Sequence, residues 1–259
     1  MQAPARGARA SRPPRAHFCA GRLGQLAAGI AAQLRNALAP DCMVCGVQSG
    51  DPICAGCAAD YFPTDTPRCA VCANPLAQAA PGGNAAHEIC GSCLVHPRHF
   101  DASLALAHYA PPVDAMIAAL KYHGRLDLGR AFGILLSRRA AHLELDGVVP
   151  LPLAAPRLRE RGYNQAAEIA RALAAKGRWP LLANARVRTR HCASQQDLRL
   201  EQRRTNVRGA FAATGALLGL RLALVDDVLT SGSTLDEAAA MLKRAGASRV
   251  VNLVVARTP

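Results

Sequence analysis

The sequence predicts an α/β domain, a largely parallel sheet with helices on both faces, preceded by a small cysteine-rich module. Three observations carry that expectation. From about Asp101 onward, apolar strand-like runs alternate with stretches of helical spacing. One run, Leu222 to Val225, is apolar without alternation, which is how a strand covered on both faces reads. Between Asp41 and Phe100, eight of the ten cysteines fall in four C-x2-C pairs, a spacing that suits metal knuckles better than a hydrophobic core.

These features divide the 259 residues into a basic arm over 1–24, a short helix over 25–40, a cysteine-rich domain over 41–100 and an α/β domain over 101–259. No apolar run approaches the ~20 residues that span a bilayer, so no membrane insertion is expected. A formal charge of +13 points to polyanionic partners or phosphorylated ligands. Paired cysteines without a secretory signal point to metal binding in a reducing compartment, and so to the cytoplasm.

The arm holds Arg6, Arg9, Arg12, Arg15 and Arg22 and no acid. Such a start reads either as an organelle transit peptide or as a disordered arm, or it follows from an upstream start codon; the Ala/Arg-heavy composition throughout favours the last two. Leu26 to Leu38 can form one amphipathic helix with too few charges for a membrane-surface role.

The cysteine pairs are Cys42/Cys45, Cys54/Cys57, Cys69/Cys72 and Cys90/Cys93. Two knuckles complete a tetrahedral four-thiolate site, so four pairs supply up to two structural Zn²⁺ sites. Pairing in chain order closes the shorter loops and is the preferred arrangement, with a crossed one left open. A redox site of thioredoxin type would stand singly after a strand, not four times in a Pro/Gly-rich segment. Because all ligands come from protein, the zinc has no open position for catalysis. His87, His96 and His99 are then surface residues; Cys19 and Cys192 are unpaired, and Cys19, in the arm, has no assignment.

In the α/β part, Leu104 to Tyr109 reads as a strand and Val113 to Lys121 as a helix with Met116, Ile117 and Leu120 on one face, ending in Lys121-Tyr122-His123-Gly124. A helix follows from Leu126 to His142. Val148 to Leu153 reads as a strand entering a loop where Pro150 and Pro152 stop further pairing. That loop carries Arg157, Arg159 and Arg161 before Gly162-Tyr163-Asn164-Gln165 opens a helix to about Lys176. Arginines beside a helix start bind anions or form a solvated basic surface, and spacing alone leaves both open. From 157 to 208 there are thirteen Lys/Arg against four Asp/Glu, a basic stretch suited to a polyanion. Val250 to Ala256 reads as a further buried strand after Gly246 ends the preceding helix.

The stretch Leu222 to Ala245 organises the rest. Asp226 and Asp227 stand where its strand should end, Thr230-Ser231-Gly232-Ser233-Thr234 forms a loop, and apolar positions 235, 238, 239, 242 and 245 mark one helix face. Thr234 and Glu237 have capping-box spacing and set the expected helix start. Loop amides and the positive helix end suit a phosphate, and the two carboxylates suit a diol or hydrated Mg²⁺. A ribose 5-phosphate has both ends. An ordinary strand-to-helix turn with two solvated acids is the plainer alternative.

At these residues the chain resembles the type I phosphoribosyltransferases, whose motif for phosphoribosyl pyrophosphate (PRPP) is a hydrophobic strand, two acids and a Thr/Gly loop. The resemblance implies that Asp226 and Asp227 hold the ribose hydroxyls and that Thr230, Ser231, Gly232, Ser233 and Thr234 cradle the 5-phosphate, Ser231 replacing the usual Thr. The segment VPLPL...R-x-R-x-RGYNQA, with LKYHG upstream, is similar to the ComF family, which joins a double zinc ribbon to a phosphoribosyltransferase domain. Arg188, Arg190, Cys192, Gln195, Leu198, Arg203, Asn206 and Ala210-Phe211 follow the spacing of another family motif, with Cys192 where relatives usually carry Thr. By analogy Gln195, Arg199 and Arg203 belong to a loop that closes over PRPP or contacts DNA, unless they lie on a surface helix. The resemblance spans roughly residues 38 to 257.

Three functions follow from the resemblance. A Mg²⁺-dependent transferase would displace pyrophosphate from PRPP, with Asp226, Asp227 and Arg161 as candidate catalytic residues and Arg157, Arg159 and Arg161 facing the departing charge. A ComF-like role would place the protein in uptake, processing or utilisation of single-stranded DNA during natural transformation, beside a competence helicase. A PRPP sensor would keep the cradle without chemistry. The acceptor is not legible, and the DNA role with a retained PRPP site is the leading expectation.

Overall fold

The computed structural model describes residues 40–76, 88–183 and 217–259. The arm, the helix expected near 25–40, His87 and the segment containing Cys192, Gln195, Arg199 and Arg203 lie outside the described residues. In chain order the cysteine-rich module contributes α1 (Ala55–Tyr61) and α2 (Gly91–Val95). The α/β part follows with β1 (Ala102–His108), α3 (Val113–Tyr122), α4 (Leu126–Arg139), β2 (Gly147–Pro150), α5 (Ala155–Arg161), α6 (Gln165–Gly177), β3 (Arg221–Leu229), α7 (Ser233–Arg244) and β4 (Arg249–Arg257).

The four strands form one sheet in the order β1-β4-β3-β2, and every pairing is parallel. Such a sheet must be covered on both faces. On one face Ile117, Leu120, Phe132, Leu136, Ile169 and Leu173 from α3, α4 and α6 meet Ala223, Val225 and Leu253. On the other, Leu235, Ala238 and Leu242 of α7 meet Leu222, Leu224 and Val250. The unalternating strands therefore read as they do because both sides are core. Gly133 lets α4 and α6 approach backbone to backbone, since a Cβ there would stand 2.5 Å from the Ile169 carbonyl oxygen.

The cysteine-rich module clasps the sheet. Cys42, Ile53, Cys57 and Phe62 join the α3/α4/α6 layer, whereas Cys69, Cys72, Cys93 and Phe100 join the α7 layer. Between them the module passes the β1 edge, where the Ser103 N–H donates to the Ala70 carbonyl at 3.3 Å. Covering an edge strand this way removes an open pairing surface. Phe62 and Phe132 rings meet at 6.3 Å, Arg139 Nη2 donates to the Phe62 carbonyl at 2.8 Å, and Arg257 Nε donates to the Cys72 carbonyl at 3.2 Å.

Two expectations need correction. The acids do not follow β3; the strand runs through them to Leu229, because β4 keeps pairing beyond that point, with Val228 opposite Ala256 and Leu229 opposite Arg257. The segment carrying Arg157, Arg159 and Arg161 is a short helix, not a loop, with Pro156 in its first turn where the missing N–H costs nothing. Among the described residues no helix is long and apolar enough to cross a membrane.

Candidate functional site

The site begins where β2 gives out. Pro150 pairs with Val225, and the Leu151 N–H makes a last bond to the Val225 carbonyl at 2.8 Å. Asp226 and Asp227 are thus the first residues of β3 beyond its partner on that side. Asp227 is buried, with 4 % of its surface exposed, and its N–H donates to Asp226 Oδ1 at 2.8 Å. Burial, and then the neighbouring charge of Asp227, push the Asp226 carboxyl well above the usual carboxylate range.

Lys121, in the last turn of α3, forms an ion pair with Asp227 Oδ2. Burial opposes the Lys121 charge, but Asp227 and then Asp226 outweigh it and hold the ammonium above its ordinary range. The next side chain, Tyr122, is exposed and carries the Arg161 guanidinium over its ring at 4.9 Å, a cation–π contact. Arg161 Nη1 also donates to Gln165 Oε1 at 3.1 Å.

The Gly-Tyr-Asn-Gln run explains how these parts are held. Gly162 ends α5 with φ 78°, a left-handed turn that glycine adopts without strain. The Tyr163 hydroxyl donates to the Leu120 carbonyl, fixing the end of α3. Asn164 caps α6 by accepting the Ala166 N–H at 3.0 Å, and its Nδ2 donates to the Leu151 carbonyl at 2.9 Å. Two motifs far apart in sequence, LKYHG and RGYNQ, are thereby fastened to the mouth of β3.

Below the acids the loop from Thr230 leads into α7. Its cap falls on Gly232, with φ 78° and ψ −2°, two residues ahead of the Thr234 cap expected from the capping box, and the helix starts at Ser233. Ser231 and Ser233 hydroxyls lie 3.0 Å apart, and the Ser233 N–H points at Ser231 Oγ from 3.4 Å. The loop therefore presents amides and hydroxyls at the positive end of a 12-residue helix, a setting for an oxyanion.

The structure groups Asp226, Asp227, Lys121 and, through Tyr122, Arg161. Arg159 is exposed, and Arg157 is half-buried on the same short helix. Lys121 was overlooked as a site residue by sequence reasoning, although a cation at a helix end just before a glycine turn was its signal.

The eight cysteines converge in two groups in chain order, Cys42/Cys45/Cys54/Cys57 and Cys69/Cys72/Cys90/Cys93, with all ligand sulfurs in each group within 4.8 Å of one another. This donor set fits tetrahedral zinc. The Cys54 N–H donates to Cys42 Sγ and the Cys90 N–H to Cys69 Sγ, both at 3.3 Å, as at thiolate ligands. Burial opposes ionisation of Cys42 and Cys69, yet such backbone bonds bring them down to about 6 and about 7. Burial raises Cys57 and Cys93, and the thiols beside each add to it. Four thiols this close share their charge well only around a cation. His96 and His99 are exposed and outside both groups.

Comparison with known proteins matches residues 34–94 to the double zinc ribbon domain. Competence protein F of Haemophilus influenzae is 30% identical over 211 residues, covering 76% of this chain and 87% of that protein. The chain belongs to the ComF family. DNA utilization protein YhgH of Escherichia coli K12, another ComF relative, is 33% identical over 202 residues, covering 75% and 86%. Among solved structures, a glutamine PRPP amidotransferase from B. subtilis overlays with a TM-score of 0.37 at 20% identity, covering 52% of this chain and 30% of that one. A purine phosphoribosyltransferase from Pyrococcus horikoshii overlays at 0.32 and 16% identity, covering 53% and 85%. At such scores the likeness says nothing about chemistry, and the ComF assignment rests on the sequence relatives.

Proposed function

We propose that this ComF protein binds PRPP with Mg²⁺ at the mouth of β3 and acts in the cytoplasm in the utilisation of single-stranded DNA. The observation that carries the first half is the placement of Asp226 and Asp227 just past the end of β2, one short loop away from the Gly232 cap of α7. A diol at the acids and a phosphate at the loop would be spanned by one ribose 5-phosphate. Mg²⁺ would neutralise the pyrophosphate when bound with it, assisted by Lys121, which is paired with Asp227, and by Arg161, which lies over the neighbouring Tyr122 ring.

Support for the DNA half comes from the names of the relatives and from the charge of +13. With aromatic residues at only 4 %, stacking platforms are few, so electrostatics must dominate DNA affinity. Arg157, Arg159 and the segment with Gln195, Arg199 and Arg203 are the residues proposed to meet pyrophosphate or DNA, and a competence helicase is the proposed protein partner. Phosphorus NMR tests the ligand: the 5-phosphate signal of Mg²⁺–PRPP should broaden and shift on adding the zinc-loaded protein. An unchanged spectrum at high protein concentration would remove the PRPP reading. For DNA, affinity that stays flat from low to physiological salt would remove the electrostatic one.

A further inference from the structure

Arg98 belongs to none of the recognised motifs and lies in the segment that leaves the second cysteine group for β1. This segment wraps the start of α7. The His99 N–H donates to Asp236 Oδ1 at 2.6 Å and its ring Nδ1 lies 3.1 Å from Oδ2, so both carboxylate oxygens in the first turn of α7 are engaged. Beside them, a Cβ added to Gly232 would meet Arg98 Nη1 at 3.8 Å and the Phe100 ring at 3.8 Å. Arg98 Nε is buried and has no hydrogen-bond partner among the described residues.

Taken by itself, this arrangement works against itself. A guanidinium beside the positive end of a helix is repelled by the dipole, and a buried N–H without an acceptor forfeits its hydration. Asp236, the acid in that first turn, is already held by His99. An oxyanion in the Thr230–Thr234 loop reverses both effects, because it attracts the guanidinium and the helix end together. Phosphate is the anion whose geometry a guanidinium matches in two parallel bonds.

We propose that Arg98 binds the 5-phosphate of the phosphoribosyl ligand, so that the zinc-ribbon module and the α/β domain build the cradle jointly. The inference rests on the phosphoribosyl reading and adds to it a charged residue from outside the phosphate motif. It also gives the clasp of the ribbon on the sheet a use in ligand binding. Lys121 and Arg161 cannot take this part, since their contacts place them with Asp227 and Tyr122 at the other end of the site.

The test is calorimetric titration of the full-length, zinc-loaded protein with ribose 5-phosphate, PRPP with Mg²⁺, and unphosphorylated ribose, comparing the parent with Arg98→Gln and Arg98→Lys. Zinc content and melting temperature report folding. Arg98→Gln should weaken both phosphorylated ligands by about tenfold, the size of one charge-assisted bond, with Arg98→Lys in between. It should leave any binding of ribose unchanged and keep zinc content and melting temperature at parental values or above. Parental affinity for ribose 5-phosphate in a folded Arg98→Gln overturns the inference while the phosphoribosyl reading stands. Equal losses for ribose and its phosphate would also overturn it, by showing a structural role. A parent that binds no phosphorylated ligand sinks the underlying reading and the inference with it.

Discussion

The ammonium of Lys121 rests on the carboxylate of Asp227, joining the end of α3 to the acid pair of β3. Lys121 has 20% and Asp227 5% of its side chain exposed, so the pair is shielded on the acid side and reachable from solvent on the other. A bound polyphosphate would compete with Asp227 for this lysine.

Removing the lysine leaves a buried carboxylate without its partner. For Lys121→Met the loss should approach, without reaching, the roughly 3–5 kcal/mol seen when one member of a fully buried pair is removed. Since the folded state holds this ammonium above its ordinary 10.5, the pair's contribution is complete below that value and fades as pH climbs through the raised one. Urea unfolding at neutral and high pH checks both; equal stability of parent and variant at neutral pH would mean that the pair contributes nothing.

Asp226 behaves oppositely. Its carboxyl is raised, so the folded state favours the neutral form and stability is lost as pH rises above the ordinary 3.8. Asp226→Asn, which cannot ionise, should then stabilise the unliganded protein at neutral pH by on the order of 1 kcal/mol or more, while weakening the ligand that needs a carboxylate. Mg²⁺–PRPP affinity should rise with pH more steeply in the parent than in the variant. Matching slopes would show that Asp226 does not ionise on binding.

The close approach of α4 to α6 gives a structural control away from the site. Gly133→Ala places a methyl 2.5 Å from Ile169 O and 2.8 Å from Leu173 N, both backbone atoms. Overpacking of this kind typically costs about 1–3 kcal/mol. A chemical denaturation midpoint equal to that of the parent would mean that the helices can part at no cost.

How much of this was legible in the sequence depends on how locally each feature is determined. The strand at Leu222, the helices beginning at Val113, Leu126 and Gln165, and the chain-order pairing of cysteines came through because hydrophobic period and knuckle spacing are local signals. The α5 turn was missed because its residues are largely exposed and no apolar face marks it. Lys121 and Arg98 were missed for another reason: each acquires its meaning from a partner far along the chain, Asp227 in one case and Gly232 in the other. The clasp of the ribbon on the sheet was likewise invisible, since Phe62 and Phe132 read only as apolar residues until the fold brings them together.

The two cysteine groups differ in shelter. Cys45 of the first is exposed, whereas Cys69, Cys72 and Cys93 of the second are buried. Purified protein should carry two zinc ions per chain by elemental analysis, and a chelator should remove them in two phases. Cys45→Ser should abolish the faster phase. One zinc per folded chain, or a single phase in the parent, would contradict the arrangement.

The most direct test of the central claim is calorimetric titration of zinc-loaded protein with PRPP and Mg²⁺ beside the Asp226→Asn/Asp227→Asn variant. The expected result is one site per chain in the parent and at least a tenfold loss in a variant that keeps its fold and zinc. A folded, zinc-loaded parent that gives no heat and no displacement of ribose 5-phosphate would contradict it, leaving the acids and the Gly232 loop without the ligand that their geometry was read to hold.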